Sequence, residues 1–306
     1  MAENSAIEWT DHTFNPWIGC TKVGPGCEHC YAEILATTRL AIEWGPGAPR
    51  RHTAASTWQQ PRRWDRKAAA TGVRQRVFCA SLAAVFDNEV PATWRAELFE
   101  LIHDTPNLDW LLVTKRIGNA AKMAEAAGGW PANVWLGATI VNQVEADRDV
   151  SKLIAISGPR YRFLSMEPLL GPVDLTRVQA PRFVPEDSEL DWKFDALATG
   201  SYYEFEDSLG YWESGDGPQR DHQIEWVIVG GESGPDARPM HPGWVIPLRD
   251  QCEAAGVPFL FKQWGEHLPV LEEGDAVRTP QITFQRVGKK RAGRRLHGVT
   301  HDGMPA

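Results

Sequence analysis

The chain has 306 residues, 42% of them hydrophobic and 24% charged, with a formal net charge of -8. This composition excludes a disordered chain, which would bury too little apolar surface to offset its ordering entropy, and no apolar run approaches the roughly 18 residues that span a bilayer. The opening MAENSAIEWTDHT lacks a basic region followed by an apolar core, so no signal peptide is expected, and the reading is a cytoplasmic protein with no membrane partner.

Short apolar runs alternate with helical stretches, the pattern of an α/β fold. The sequence predicts a strand at Phe14–Gly19, a helix at Cys30–Glu43, a strand at Val77–Ser81 and a helix at Ala92–His103. A strand at Trp110–Thr114, a helix at Gly118–Ala127, a strand at Val134–Thr139 and a helix at Gln143–Ile156 follow. The remainder holds strands at Tyr161–Ser165 and Trp226–Gly230, a helix at Pro242–Ala255 and a last strand at Pro258–Lys262. Pro91 marks one helix start, and Gly256 closes the last helix. Seven strands with short connections predict a partial or complete parallel (β/α) barrel, a single domain over residues 1–306.

Residues from about 174 to 223 break this rhythm and read as an acidic insertion between the fifth and sixth strands. Between Glu186 and Glu225 twelve acids stand against Lys193 and Arg220. Such like charge is costly to bury, so the stretch is expected outside the barrel rather than as one of its strands. Residues from about 284 to 306 form a basic tail.

Polar and glycine residues stand just past each strand: Cys20, Ser81 and Asp87, Thr114-Lys115-Arg116, Thr139 and Asn142, Ser165 and Glu167, Gly230-Gly231-Glu232-Ser233-Gly234, and Lys262-Gln263-Trp264. In a parallel barrel these positions share the C-terminal face, where such folds keep their active sites.

Cys20, Cys27 and Cys30 have the spacing C-x6-C-x2-C in a glycine- and proline-containing loop. In a reducing compartment such a cluster binds metal or does redox chemistry more often than it forms disulfides. Structural zinc wants four protein ligands; the fourth would be His29, His12 or a distant residue. A [4Fe–4S] cluster held by three thiolates keeps one iron open for an exogenous ligand. Uncoordinated thiols are the third reading. Cys79 and Cys252 read as small buried hydrophobes.

The segments FNPWIGCTKVGPGCEHCYAE, LLVTKR, FLSMEPLLGPV, WVIVGGESGPDARPMHP, VPFLFKQWGE and VGKKRAGRRLHG resemble, in this order, the phage Gp37/Gp68 family of radical S-adenosylmethionine-like proteins. The resemblance implies a radical S-adenosylmethionine barrel, a [4Fe–4S] cluster on Cys20, Cys27 and Cys30, and S-adenosylmethionine on the open iron. Two features depart from the general pattern of such enzymes. The first cysteine interval is six residues rather than three, and Gly230-Gly231-Glu232 follows the sixth strand rather than the second.

With this resemblance the strand-end residues become cofactor-binding candidates. Ser81 and Thr139 offer hydroxyls, Lys115 and Arg116 suit a cofactor carboxylate or a substrate phosphate, and Glu167 and Glu232 suit ribose hydroxyls or an ammonium. Gly230 and Gly231 admit close backbone approach, and Lys262 suits a phosphate or balances Glu232. The expected activity is reductive cleavage of S-adenosylmethionine to a 5′-deoxyadenosyl radical, acting on a nucleic-acid base or nucleotide in modification or repair. The catalytic residues are not identified by sequence. The alternatives are a zinc-stabilised nucleic-acid-binding protein without catalysis, or an iron–sulfur redox subunit of a partner protein.

The nucleic-acid expectation rests on two basic stretches. Arg50, Arg51, Arg62, Arg63, Arg66, Lys67, Arg74 and Arg76 are interleaved with Trp58 and Trp64, and RVGKKRAGRR carries Lys289, Lys290 and Arg291. Cations beside flat aromatics suit a phosphate backbone and an unstacked base; the plainer reading is a solvated loop and tail.

Overall fold

The computed structural model describes residues 2–180, 191–206, 212–272 and 281–306. Seven parallel strands carry the fold: β1 (His12–Phe14), β2 (Gln75–Cys79), β3 (Leu108–Thr114), β4 (Val134–Thr139), β5 (Tyr161–Met166), β6 (Trp226–Gly230) and β7 (Phe259–Gln263). They lie in sequence order in one sheet, with Ala2–Glu3 added antiparallel beside β1. This mixed α/β sheet is consistent with a partial parallel barrel. The chain divides into two compact units.

The first unit comprises Met1–Thr139 and Ile156–Phe163. Strands β1, β3 and β4 are buried along almost their whole length, and β2 is buried at Val77 and Cys79, as the apolar runs of a parallel sheet require. The expected first strand, Phe14–Gly19, is divided. Phe14 ends β1, while Trp17–Ile18 pairs antiparallel with Arg51–His52. Pro16 stands between the two pieces and has no amide N–H to give a ladder. At Gly137 a β-carbon would lie 2.5 Å from the Phe163 ring, so only glycine lets that aromatic pack there.

The helices of this unit are α1 (Tyr31–Arg39), α2 (Gln60–Thr71), α3 (Ala92–His103) and α4 (Ile117–Glu125). Helix α2 corrects the reading of residues 50–76 as a loop. Pro61, Trp64 and Ala68 recur at helical spacing and are buried, and Gly72, with φ of 68°, closes the helix in the left-handed region.

The second unit comprises Ile140–Ala155 and Leu164–Ala306. Helix α5 (Gln143–Ile154) is capped by Asn142, whose Oδ1 accepts from the Glu145 amide at 3.0 Å. Helix α6 (Pro242–Ala255) starts behind His241 and stops at Gly256, with φ of 67°. The acidic stretch folds as a separate four-stranded antiparallel sheet, Val178–Gln179, Asp191–Phe194, Gly200–Glu206 and Trp212–Arg220. None of its described strands joins the parallel sheet. Its core uses one of the stretch's few cations: Arg220 lies over the Phe194 and Tyr203 rings and donates to the Asp195 and Ala198 carbonyls. Burial lowers the Arg220 pKa and raises that of Tyr203.

Beyond a hairpin of His267–Glu272 and Gln281–Arg286, the segment around His301 lies along β7. The Phe261 amide donates to the His301 carbonyl, the Gly303 amide donates to the Phe259 carbonyl, and Trp226 Nε1 donates to the Gly303 carbonyl at 2.7 Å. No helix among the described residues is long and apolar enough to cross a membrane.

Candidate metal centre and strand-end residues

The cysteine loop leaves the Trp17–Ile18 strand through Gly19, whose φ of 120° is a conformation side chains rarely adopt. The Gly19 amide donates to the Leu82 carbonyl at 3.1 Å, tying the loop to the segment that follows β2. Cys27 ends a single 3-10 turn, Pro25–Cys27, and Cys30 is the N-cap of α1. Cys27 is buried, Cys20 and Cys30 are half-buried, and all three thiols are free.

A buried charge network backs the first thiol. Arg116 Nη1 donates to Cys20 Sγ at 3.4 Å, and its Nη2 donates to the Thr21 carbonyl at 2.7 Å. The same Nη2 lies 3.9 Å from Asp87 Oδ1. Asp87 in turn accepts from Arg50 Nε at 2.9 Å, and Arg50 Nη2 reaches Thr21 Oγ1 at 2.7 Å. Burial pushes the Cys20 thiol pKa up; the Arg116 guanidinium opposes this, while Asp87 and Cys27 reinforce it. Lys22 is held above its ordinary value first by its bond to Glu33, with smaller contributions from Cys30 and Cys27.

Among the described residues no group of three or more His, Cys, Asp or Glu side chains is arranged to hold a metal ion. The donor chemistry nevertheless fits a soft centre. Three unbridged thiols share one short loop, and a guanidinium faces the first sulfur. Cys79 and Cys252 are fully buried small hydrophobes, as expected, and burial pushes the Cys252 thiol up to about 12.

The other candidates of the first unit are partly tied. Ser81 Oγ accepts from Asn15 Nδ2 at 3.0 Å, and its carbonyl accepts from the Tyr31 hydroxyl at 2.8 Å. Tyr31 itself is exposed. Lys115 Nζ reaches only the hydroxyl of buried Thr139, at 3.5 Å, and has no carboxylate partner among the described residues.

In the second unit the candidates are matched to one another. Lys262 pairs with Glu167 at 2.7 Å, not with Glu232. Glu232 is gripped by Arg238, through the Arg238 amide at 2.9 Å, Nε at 2.8 Å and Nη2 at 2.7 Å. The glycine pair serves the chain's own packing. A β-carbon on Gly230 would meet Glu167 Oε1 at 2.8 Å, and one on Gly231 would collide with the Trp264 backbone. The space beside Gly230 is taken by the Glu167 side chain and that beside Gly231 by the Trp264 backbone.

The basic stretch needs the larger correction. Arg50 is buried against Asp87, and Trp58 and Trp64 are buried and stacked on His52 and His12, so none of the three is available to phosphate or base. Arg62 pairs with Asp104, Arg74 with Asp109 and Arg76 with Asp11. Arg51, Arg63, Arg66 and Lys67 are exposed, Lys67 lying 4.0 Å from Glu3. Lys289, Lys290 and Arg291 are exposed on the short helix Lys289–Ala292. The Arg50–Asp87–Arg116 network itself was not foreseen. Its signal was Asp87 at the end of the apolar run LAAVF, where a carboxylate going into the interior needs a cation.

The family described as "Protein of unknown function (DUF5131)" matches residues 4–305. No curated protein and no solved structure matches the chain.

Proposed function

We propose a function from the cysteine loop of this chain, which belongs to the DUF5131 family of proteins of unknown function: an iron–sulfur enzyme of the radical S-adenosylmethionine type, acting on a nucleic-acid base or nucleotide. The observation that carries the reading is the set of three free thiols on one loop with the Arg116 guanidinium at the first sulfur. Cys20, Cys27 and Cys30 would hold the cluster. When bound, a [4Fe–4S] centre with three protein ligands supplies an open iron for S-adenosylmethionine and the electron that cleaves it.

The chain's own groups have narrower tasks. Thr21 and Arg116 fix the Cys20 end of the loop, and Gly19 sets its departure angle. Lys115, half-buried and without a carboxylate partner among the described residues, is suited to an anionic group such as the carboxylate of the cofactor. Exposed Arg51, Arg63, Arg66 and Lys67, with Lys289, Lys290 and Arg291, are suited to phosphates of a nucleic-acid substrate.

The test is anaerobic purification with iron and sulfide analysis, followed by dithionite and S-adenosylmethionine. The expected result is a brown protein that releases 5′-deoxyadenosine and methionine, and loss of both properties in Cys20→Ser, Cys27→Ser and Cys30→Ser. A colourless zinc protein would overturn the reading. A brown protein that never cleaves the cofactor would replace it with a redox subunit.

A further inference from the structure

Two guanidiniums, buried Arg50 and half-buried Arg116, share the buried carboxylate of Asp87, and Arg50 also meets Glu89. The side chains of Arg50, Asp87 and Arg116 are 1%, 3% and 10% exposed. Arg50 is satisfied on every side. It pairs with Asp87 at 2.8 Å and with the rim carboxylate of Glu89 at 3.1 Å, and it donates to the Gly45 and Ala48 carbonyls. Asp87 is thereby largely spent on Arg50, its distance to Arg116 being the longer 3.9 Å. The charge of Arg116 is left facing Cys20 Sγ at 3.4 Å, while its second nitrogen anchors on the Thr21 carbonyl. A thiolate-ligated centre at Cys20 would add a second anionic partner to a guanidinium whose ion pair with Asp87 is long.

Resting on the iron–sulfur reading above, we infer that Arg116 is a positioning residue that sets the reduction potential of the centre bound by Cys20, with the Thr21 carbonyl and Asp87 holding its guanidinium in place. The physical basis is direct. A donor and a positive charge at a ligating sulfur stabilise the more negative, reduced state, so they raise the potential. The fork shape matters as well, because one nitrogen grips the backbone while the other is aimed at sulfur.

The experiment is a potentiometric titration of the whole reconstituted protein with dithionite as the one-electron donor, read by electron paramagnetic resonance. It compares wild type with Arg116→Gln and Arg116→Lys, with thermal melts run alongside. In Arg116→Gln the ratio of reduced to oxidised centre at fixed potential should fall about tenfold, equivalent to about 59 mV for one electron. In Arg116→Lys, which keeps the charge and loses the directed bond, it should fall about threefold. Should Arg116→Gln not fold, the lysine variant decides. Ratios and resonance spectra identical to wild type in the variants that fold would overturn the inference and leave the iron–sulfur reading standing. Absence of iron and sulfide from the wild-type protein would overturn that reading, and the inference with it.

Discussion

Lys262 Nζ meets Glu167 Oε2 at 2.7 Å, with the two side chains only 14% and 17% exposed. Glu167 Oε1 has no hydrogen-bond partner among the described residues, and Gly230 packs against the same carboxylate. Lys262→Met strands a mostly buried carboxylate and should destabilise the protein by about 3 kcal/mol. Adding Glu167→Gln should recover most of the loss. A denaturant series on both proteins checks this, and a Lys262→Met protein as stable as wild type would refute a structural role for the pair.

Gly231 should not tolerate a side chain. Its β-carbon would run into the Trp264 carbonyl, which is backbone and cannot rotate away. Gly231→Ala should cost about 2 kcal/mol. Gly118→Ala, early in α4 and in open space, should be neutral or stabilising by up to about 1 kcal/mol. Comparing the two melting temperatures separates local crowding from a general effect of losing glycine.

The corrected basic surface divides Arg63 and Arg66 from Trp64. Replacing both arginines with glutamine should leave the melting temperature unchanged. The slope of oligonucleotide affinity against salt should fall by about one for each phosphate that the variant no longer neutralises. Trp64→Ala, by contrast, removes a buried ring stacked on His12 at 4.2 Å and should cost about 3–5 kcal/mol. Binding by fluorescence anisotropy at two salt concentrations is the measurement, and an unchanged slope in the double variant would remove α2 from the proposed interface.

Burial lowers the pKa of His301 below its ordinary 6.5; Arg249 and His297 add to the shift, and Glu253 and Asp302 oppose it. The folded protein therefore binds the proton less readily than the unfolded chain. The stabilising contribution is complete above 6.5 and is lost as pH falls from there through the lowered folded value. The protection factor of the Phe261 amide, which donates to the His301 carbonyl, should fall across that window. His301→Gln should flatten the dependence; an equally steep profile in that variant would exclude His301 as the titrating group.

The strands were legible where an unbroken apolar run matched a strand buried on both faces. Val134–Thr139 and Trp226–Gly230 were read with their observed limits, as were the helices Ala92–His103 and Pro242–Ala255, which carry proline starts or a left-handed glycine stop. Helix α2 was hidden because its four cations, Arg62, Arg63, Arg66 and Lys67, outnumber its narrow buried stripe of Pro61, Trp64 and Ala68. The small antiparallel sheet was hidden by net charge. Alternation of Trp192 with Phe194 and of Tyr203 with Phe205 was present, but the intervening acids dominated the reading. At the cysteine loop, sequence gives the thiols and their order. The pairing of Asp87 with Arg50 and the aim of Arg116 at Cys20 depend on residues dozens of positions apart, a distance that local pattern does not reach.

The hydrogen bonds that join β7 to His301 and Gly303 also bear on how the protein is made. During synthesis β7 is complete well before its outer neighbour exists, so the main-chain groups of Phe259 and Phe261 stand ready to template another chain until residues 301–303 emerge and cover them. A product ending shortly before Leu296 would retain every cysteine and every strand of the parallel sheet. Its failing would be self-association through that uncovered strand, so such truncations should appear as aggregates in the cell rather than as inactive monomers.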